Sequence, residues 1–247
     1  MKVRVILPTY NEAGTIRDVV ARALGSTPDV DVLIVDDNSP DGTGDIADGI
    51  AAAEPRVFVM HRASKQGLGP AYIAGFVDSI ARGYEAMIEM DSDLSHDPAD
   101  IPRLIEAARA ADVVIGSRYV RGGDTQNWTT GRRLMSRGAN LYARTLLRFP
   151  VRDATAGFRL YRRAVLETIP LDEIHSEGYG FQVEMTWRAW TLGFTIVEIP
   201  ITFVERREGA SKMSRAIAIE GGRKVLRWAA KRARRPAEPH PRSARST

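Results

Sequence analysis

Residues 86 to 96 read Ala-Met-Ile-Glu-Met-Asp-Ser-Asp-Leu-Ser-His, a short, mostly apolar run that ends in two carboxylates. If Ala86 to Met90 is a buried strand, its two-residue side-chain period puts Asp91 and Asp93 on one face as the strand ends. Two hard oxygen ligands at a strand's C-terminal edge suit Mg²⁺ or Mn²⁺, and such a cation could also hold a diphosphate. Taken alone, the pair reads equally well as a cap for a helix opening at Pro98. The surrounding chain has to decide.

Upstream, Val3 to Leu7 predicts a buried strand, followed directly by Pro8-Thr9-Tyr10-Asn11-Glu12. Asn11 reads as the N-cap of a helix over about Glu12 to Leu24, with Ile16, Val19, Val20 and Leu24 on one apolar face. Val32 to Val35 is a second strand, broken by the turn-rich Asp36 to Thr43, and a helix over about Gly44 to Ala53 follows. Arg56 to Met60 is a third strand, and the glycine-rich Ser64 to Pro70 opens a helix that Gly83 stops. Beyond the two carboxylates the pattern predicts a helix from Pro98 to about Ala110 and a strand over Val113 to Gly116. This repeated alternation argues for a mostly parallel sheet flanked by helices.

After Arg118 the alternation breaks. Tyr119 to Thr130 is polar and glycine-containing, a candidate lid. Arg132 to Arg148 predicts a helix that buries Leu134, Ala139, Tyr142, Leu146 and Leu147. Phe158 to Tyr161 reads as a short strand, Phe181 to Leu192 as a helix, and Thr195 to Ile199 as a last strand. A helix-like stretch from Met213 to Ala233 is interrupted at Gly221-Gly222, and Arg235 to Thr247, with its prolines, reads as disorder. The expected division is a domain over residues 1–222 and a basic amphipathic helix end with a tail over 223–247.

With 247 residues and 44% hydrophobic content, one core with an appendage is expected. The absence of cysteine excludes disulfides, thiol nucleophiles and thiolate-bound metal, and is compatible with a cytoplasmic setting. No apolar run is long enough to cross a bilayer, and the first residues lack the apolar core of a secretory signal. The net charge of +4 is concentrated at the end, where residues 223 to 247 hold nine Lys/Arg and one acid. Without an aromatic platform or recognition fold, those charges do not indicate nucleic acid.

Pro8 to Glu12, Asp36 to Thr43, Lys65 to Gly69 and Asp91 to Ser95 all follow predicted strands, so they share one rim of the sheet, where ligands bind. Lys65 and backbone N–H groups suit an anion there, the carboxylates suit a cation or sugar hydroxyls, and Tyr10 offers a flat face to a base. The glycine-rich segment has neither the P-loop nor the dinucleotide-fold spacing.

The motifs Pro-Thr-Tyr-Asn-Glu at 8–12, Val-Asp-Asp-Asn-Ser-Pro-Asp-Gly-Thr at 35–43, Gly-Leu-Gly-Pro-Ala-Tyr at 67–72 and Asp-Ser-Asp-Leu-Ser-His at 91–96 together resemble the family 2 glycosyltransferases. Gly-Ser-Arg-Tyr at 116–119, Asp-Ala-Thr-Ala-Gly-Phe-Arg at 153–159 and Gly-Ala-Ser-Lys at 209–212 narrow the likeness to the polyprenol (dolichol) phosphate mannosyltransferases. The resemblance spans roughly residues 3 to 215.

It implies an α/β, Rossmann-like GT-A fold of the nucleotide-diphospho-sugar transferases. It further implies inverting, metal-dependent transfer of mannose from GDP-mannose to a polyprenyl phosphate. Pro8, Tyr10, Glu12, Val35 and Asp37 would bind the nucleoside. Asp91, Ser92, Asp93 and Ser95 would hold the ribose, metal and diphosphate, although relatives place Gln where this chain has Ser95. Arg206 and Lys212 would clamp phosphate, and Arg118, Arg132 and Ser136 would receive the lipid phosphate, with Arg133 and Arg137 as substitutes for Arg132. On these roles the expected catalytic set is Asp91, Asp93, Arg118 and Arg206.

Glu184 occupies a position where family members carry a catalytic base, but an acceptor phosphate is already an anionic nucleophile at neutral pH and needs none. Glu184 therefore reads equally as a fold residue. His96 reads as a support to the metal ligands or a turn residue, and His175 as dispensable. Another donor such as UDP-glucose, and a non-catalytic nucleotide-sugar-binding subunit, stay open as rivals. A lipid substrate requires peripheral contact with the cytoplasmic face of a membrane or a membrane-anchoring partner; Val225, Leu226 and Trp228 among the basic residues are the candidate anchors.

Overall fold

The computed structural model describes residues 1–176, 178–205 and 215–233. In chain order it contains β1 (Val3–Thr9), α1 (Ile16–Ser26), β2 (Val30–Asp36), α2 (Thr43–Ala53), β3 (Val57–His61), α3 (Leu68–Ala81), β4 (Ala86–Glu89), α4 (Ile101–Ala107) and β5 (Val113–Ser117). Then follow β6 (Asp124–Gln126), α5 (Thr130–Leu147), β7 (Arg159–Arg162), α6 (Arg163–Thr168), α7 (Tyr179–Thr191), β8 (Ile196–Pro200), β9 (Thr202–Val204) and α8 (Arg215–Ala233).

Seven strands make one sheet in the order β3-β2-β1-β4-β7-β5-β8. Only β7 runs antiparallel to its neighbours β4 and β5. Near-continuous apolar strands are what a parallel sheet covered on both faces demands. On one face Val3, Val5 and Leu7 of β1 pack with Ile16, Val19 and Val20 of α1 and with Ile101 and Leu104 of α4. On the other, Ile6 and Leu33 join Tyr72 and Phe76 of α3, Phe181 of α7, and Val225 and Trp228 of α8. The expected helix-covered, mostly parallel sheet is present.

Gly75 of α3 marks the closest approach of helix to sheet. A Cβ there would lie 2.7 Å from Cγ2 and 3.1 Å from Cδ1 of the buried Ile6 side chain. Gly75→Ala is expected to cost about 1–3 kcal/mol through this overpacking, read as a lower urea midpoint with an unchanged m-value.

Several expectations are corrected. The first helix begins at Ile16, because Asn11 adopts a left-handed φ of 61° and the amides after it serve the neighbouring loop. β4 ends at Glu89, so strand alternation does not extend to Asp91 and Asp93; a turn places them, with Leu94 at φ 62°. The helix expected from Pro98 divides into a 3₁₀ turn over Pro98–Asp100 and the shorter α4.

The candidate lid is anchored rather than loose: β6 pairs in parallel with β9, and Arg133 Nη2 donates to the Thr125 carbonyl at 2.6 Å. That contact also commits Arg133 elsewhere than Arg132. α5 buries Asn140, Ala143 and Leu147, whereas Leu134 is 70% and Leu141 64% exposed, and Tyr142 is exposed too.

α8 runs unbroken through Gly221-Gly222, so the division at 222/223 falls inside one helix. Val225 and Trp228 are buried in the main core, Trp228 stacking on Trp187 at 5.6 Å, which leaves Leu226 as the exposed member of the three expected anchors.

Candidate active site

The rim at the C-terminal ends of β1 to β4 is tied together by hydrogen bonds. The Asp37 amide donates to the Thr9 carbonyl at 3.1 Å. The amides of Asn11, Glu12 and Ala13 donate to Ser39 Oγ, Thr43 Oγ1 and Asp41 Oδ2 at 3.1, 3.0 and 3.1 Å. Ser92 Oγ donates to the Pro8 carbonyl at 2.9 Å, and Thr15 Oγ1 donates to the Ser92 carbonyl at 2.8 Å. Pro8, Glu12, Asp37 and Ser92 are thus parts of one scaffold. Val35 belongs to it through its carbonyl, which Thr9 Oγ1 reaches at 3.4 Å, while its side chain is in the core.

The β3–α3 loop closes over this rim. Arg62 Nη1 donates to Asp37 Oδ1 at 2.7 Å, and the Gln66 amide lies 3.4 Å from Asp37 Oδ2. Burial raises the Asp37 carboxyl's pKa although Arg62 pulls it down. Lys65 Nζ sits 3.9 Å from the Tyr10 ring centroid, a cation–π contact on the face that a base could use.

Around the two carboxylates, the Ser95 amide donates to Asp93 Oδ1 at 3.1 Å, and the Ser95 carbonyl accepts from the Val204 amide at 3.1 Å. The loop is therefore pinned to β9. The Asp91 amide donates to His96 Nδ1 at 3.3 Å, which makes Nδ1 an unprotonated acceptor. His96 is buried between Phe158 and Phe203, with ring centroids 5.2 and 5.3 Å away, and that burial pushes its pKa down so that it stays neutral. It holds the Asp91 backbone within the turn that carries the two carboxylates.

Asp91 and Asp93 keep partial solvent exposure, and no group of three or more His, Asp or Glu among the described residues forms a metal cage. Two carboxylates without a full cage match Mg²⁺ or Mn²⁺ sites in which diphosphate oxygens and water complete the shell. The donor set fits such an ion.

The second half of the site is a groove of about 450 Å³ between α5, α7 and α8. Arg118, Trp128, Arg132, Ser136 and Thr155 supply its polar lining, and Met135, Val183 and Val225 are among its apolar walls. Arg118 is buried and held by Asp153: its Nε and Nη2 donate to the two carboxylate oxygens at 2.8 and 2.6 Å, and Nη2 reaches Thr155 Oγ1 at 2.8 Å. Burial would raise the Asp153 carboxyl's pKa, but Arg118 prevails and holds it below the ordinary value. Arg132 Nη1 pairs with Glu205, and Tyr119 Oη donates to Ser136 Oγ at 2.7 Å.

Segment 153–157 joins the two halves. Thr155 lines the groove, while a Cβ on Gly157 would stand 3.5 Å from both Asp91 Oδ2 and His96 Cε1. Asp153, Arg159 and Trp128 carry much of this geometry and had no assigned role in the sequence reading. The signal for the first two was present, since both lie within the quoted motif at 153–159. Arg159 is fully buried and donates to the carbonyls of Ala154, Ala156 and Gln182, shaping that motif from below.

Glu184 is buried on α7, where it accepts from Ser176 Oγ and from Arg188 Nε at 3.0 Å, a bonded setting that fits a fold role. The His175 carbonyl accepts from Lys224 Nζ at 2.9 Å, which ties α8 to the loop before α7. Arg206 and Lys212 lie outside the described residues.

The glycosyl transferase family 2 model matches residues 4–169. The chain is 53% identical over 228 residues to an undecaprenyl-phosphate mannosyltransferase of Micrococcus luteus, covering 92% of this chain and 94% of that one. It is 52% identical over 226 residues to a polyprenol monophosphomannose synthase of Mycolicibacterium smegmatis, covering 91% and 85%. Among solved structures, glucosyl-3-phosphoglycerate synthase from Mycobacterium tuberculosis, crystallised with Mn²⁺, UDP and glucosyl-3-phosphoglycerate, superposes with a TM-score of 0.66 at 20% identity, over 96% of this chain and 81% of that one. Mannosyl-3-phosphoglycerate synthase from Rubrobacter xylanophilus gives 0.63 at 16% identity, over 95% and 74%. These likenesses bear out the expected GT-A, Rossmann-like fold.

Proposed function

The chain belongs to glycosyl transferase family 2, and on that premise we propose that it transfers mannose from GDP-mannose to a polyprenyl phosphate with inversion of configuration. It is a glycosyltransferase of the polyprenol phosphate mannosyltransferase kind. One observation carries the reading of the site: segment 153–157 runs from Thr155, in the wall of a groove that also holds Arg118 and Arg132, to Gly157, whose Cβ position is 3.5 Å from Asp91 Oδ2. That is the layout needed by a phosphate on an apolar tail meeting a nucleotide diphosphate.

In this reading the rim from Pro8 to Glu12, Val35, Asp37 and Lys65 holds the nucleoside and its phosphates. Ser92 orders the ribose side, and Asp91, Asp93 and Ser95 hold Mg²⁺ or Mn²⁺, which when bound supplies positive charge to the departing diphosphate. Arg206 and Lys212 add cations to that clamp. Arg118, Arg132 and Ser136 take the acceptor phosphate, offsetting its repulsion from the donor and aligning an oxygen for in-line attack. Because the acceptor brings its own nucleophile, one displacement suffices, and inversion follows.

Peripheral contact with a membrane at its cytoplasmic face, or with a membrane-anchoring partner, belongs to the same proposal. No helix among the described residues is long and apolar enough to cross a bilayer. Exposed Leu134, Leu141 and Tyr142 of α5 and Leu226 of α8, near Arg223 and Arg227, take the place of the anchors that proved buried.

Radiolabelled GDP-mannose is expected to deliver label to the organic phase only when polyprenyl phosphate and Mg²⁺ or Mn²⁺ are present, with EDTA abolishing it. Transfer from UDP-glucose instead, or label that stays aqueous, would refute the assignment.

A further inference from the structure

Trp128 lies between β6 and α5 and is 9% exposed, yet it lines the polar end of the groove. Its ring is held on several sides. The Arg132 guanidinium carbon is 4.3 Å from the ring centroid, that of Arg118 is 5.3 Å away, and Phe203 meets it edge-on at 5.5 Å. Phe203 in turn packs on His96, so the indole connects through packed rings to the support behind Asp91.

The indole Nε1 is buried and has no hydrogen-bond partner among the described residues. An indole nitrogen can only donate, and a buried donor without an acceptor is costly, so few persist in a native fold without a reason. Phenylalanine would give the same packing without that cost. The neighbours say which acceptor is missing: the guanidinium groups of Arg118 and Arg132, which pair with Asp153 and Glu205 yet still face the groove, line it together with the hydroxyls of Ser136 and Thr155. Such surroundings favour an anion.

We propose that Trp128 is a positioning residue for the acceptor, its Nε1–H donating a hydrogen bond to the phosphate of the polyprenyl phosphate while its ring holds Arg118 and Arg132 apart at that phosphate. The assignment rests on the reading of the groove as the acceptor site. A neutral indole donor adds a directed contact without adding charge, and a bond to a charged oxygen is stronger than one between neutral groups.

The test uses Trp128→Phe, which keeps an aromatic ring and removes the N–H. Expected is a rise of about tenfold in the KM for polyprenyl phosphate, the change that loss of a charge-assisted hydrogen bond produces, with the KM for GDP-mannose unchanged. In parallel, the indole N–H resonance of Trp128, one of four tryptophans, is followed in the intact protein by ¹⁵N–¹H correlation. It should move downfield on adding geranyl phosphate and stay in place with geraniol.

An unchanged acceptor KM in a folded Trp128→Phe, or a resonance indifferent to geranyl phosphate, overturns the proposal. If the variant does not fold, the resonance of the unaltered protein decides. Movement of that resonance without any mannosyl transfer would uphold the phosphate contact and sink the functional assignment, whereas transfer with an immobile resonance would do the reverse.

Discussion

Asp93→Asn is expected to lower kcat for mannosyl transfer by about 10³-fold or more, the loss typical when the group stabilising charge on a leaving diphosphate is removed. The substitution is chosen for what it keeps. Asparagine retains an oxygen that can accept the Ser95 amide, now 3.1 Å from Asp93 Oδ1, so the turn that follows β4 and its link to Val204 stay in place. What goes is the negative charge and, on the proposed reading, one hard ligand of a two-carboxylate set that has no third acid beside it among the described residues. The melting temperature should therefore move little while turnover collapses, and added Mn²⁺ should recover only part of the rate. Calorimetric titration with GDP and Mn²⁺ should show the same weakening without any acceptor present. Unchanged turnover would leave the two carboxylates as turn residues before the Pro98 segment and revive the non-catalytic subunit.

What the sequence made legible was governed by local periodicity. The apolar strands before residue 118 announced a covered parallel sheet because both faces of each strand had to be buried, and the rim loops followed from that alone. Asn11 misled because Asn is favoured both at helix N-caps and in left-handed turns; the competing hydroxyls and carboxylate of Ser39, Thr43 and Asp41, which accept from the amides of Asn11, Glu12 and Ala13, are far along the chain. α5 misled differently. Its apolar residues fall on more than one stripe, and periodicity cannot tell a stripe facing the core, such as Ala143 and Leu147, from exposed Leu134 and Leu141. β6 and β9 are each three residues long and are stabilised by pairing with each other, a contact that no local window contains. Glu89 was visible as an acid inside an apolar strand. Burial, opposed by Arg159, raises its pKa to about 8.

Asp153→Ala is expected to destabilise the protein by about 3–5 kcal/mol, because it leaves the Arg118 guanidinium buried without its counter-ion. In a domain of this size that is on the order of 10 °C in Tm. The pair is almost fully enclosed, with side-chain exposures of 4% for Arg118 and 0% for Asp153, so solvent cannot screen the orphaned charge. The sign of the pH dependence follows from the depressed Asp153 pKa in the folded state. The pair's contribution is present above the unfolded carboxyl's pKa of about 4 and is lost as acidification below that value protonates the native carboxylate. The variant's Tm should accordingly vary less than the parent's in that acid range. Removing both charges separates fold from function. Arg118→Met combined with Asp153→Leu replaces the ion pair by apolar volume and should recover much of the stability, since a buried pair is seldom better than a well-packed hydrophobic substitute. It should not recover transfer, because the guanidinium lining the groove is gone along with the anchor of the segment that leads from Thr155 to Gly157. A stable double variant with parental turnover would reduce Arg118 to a fold residue and leave Arg132 as the principal cation for the acceptor phosphate.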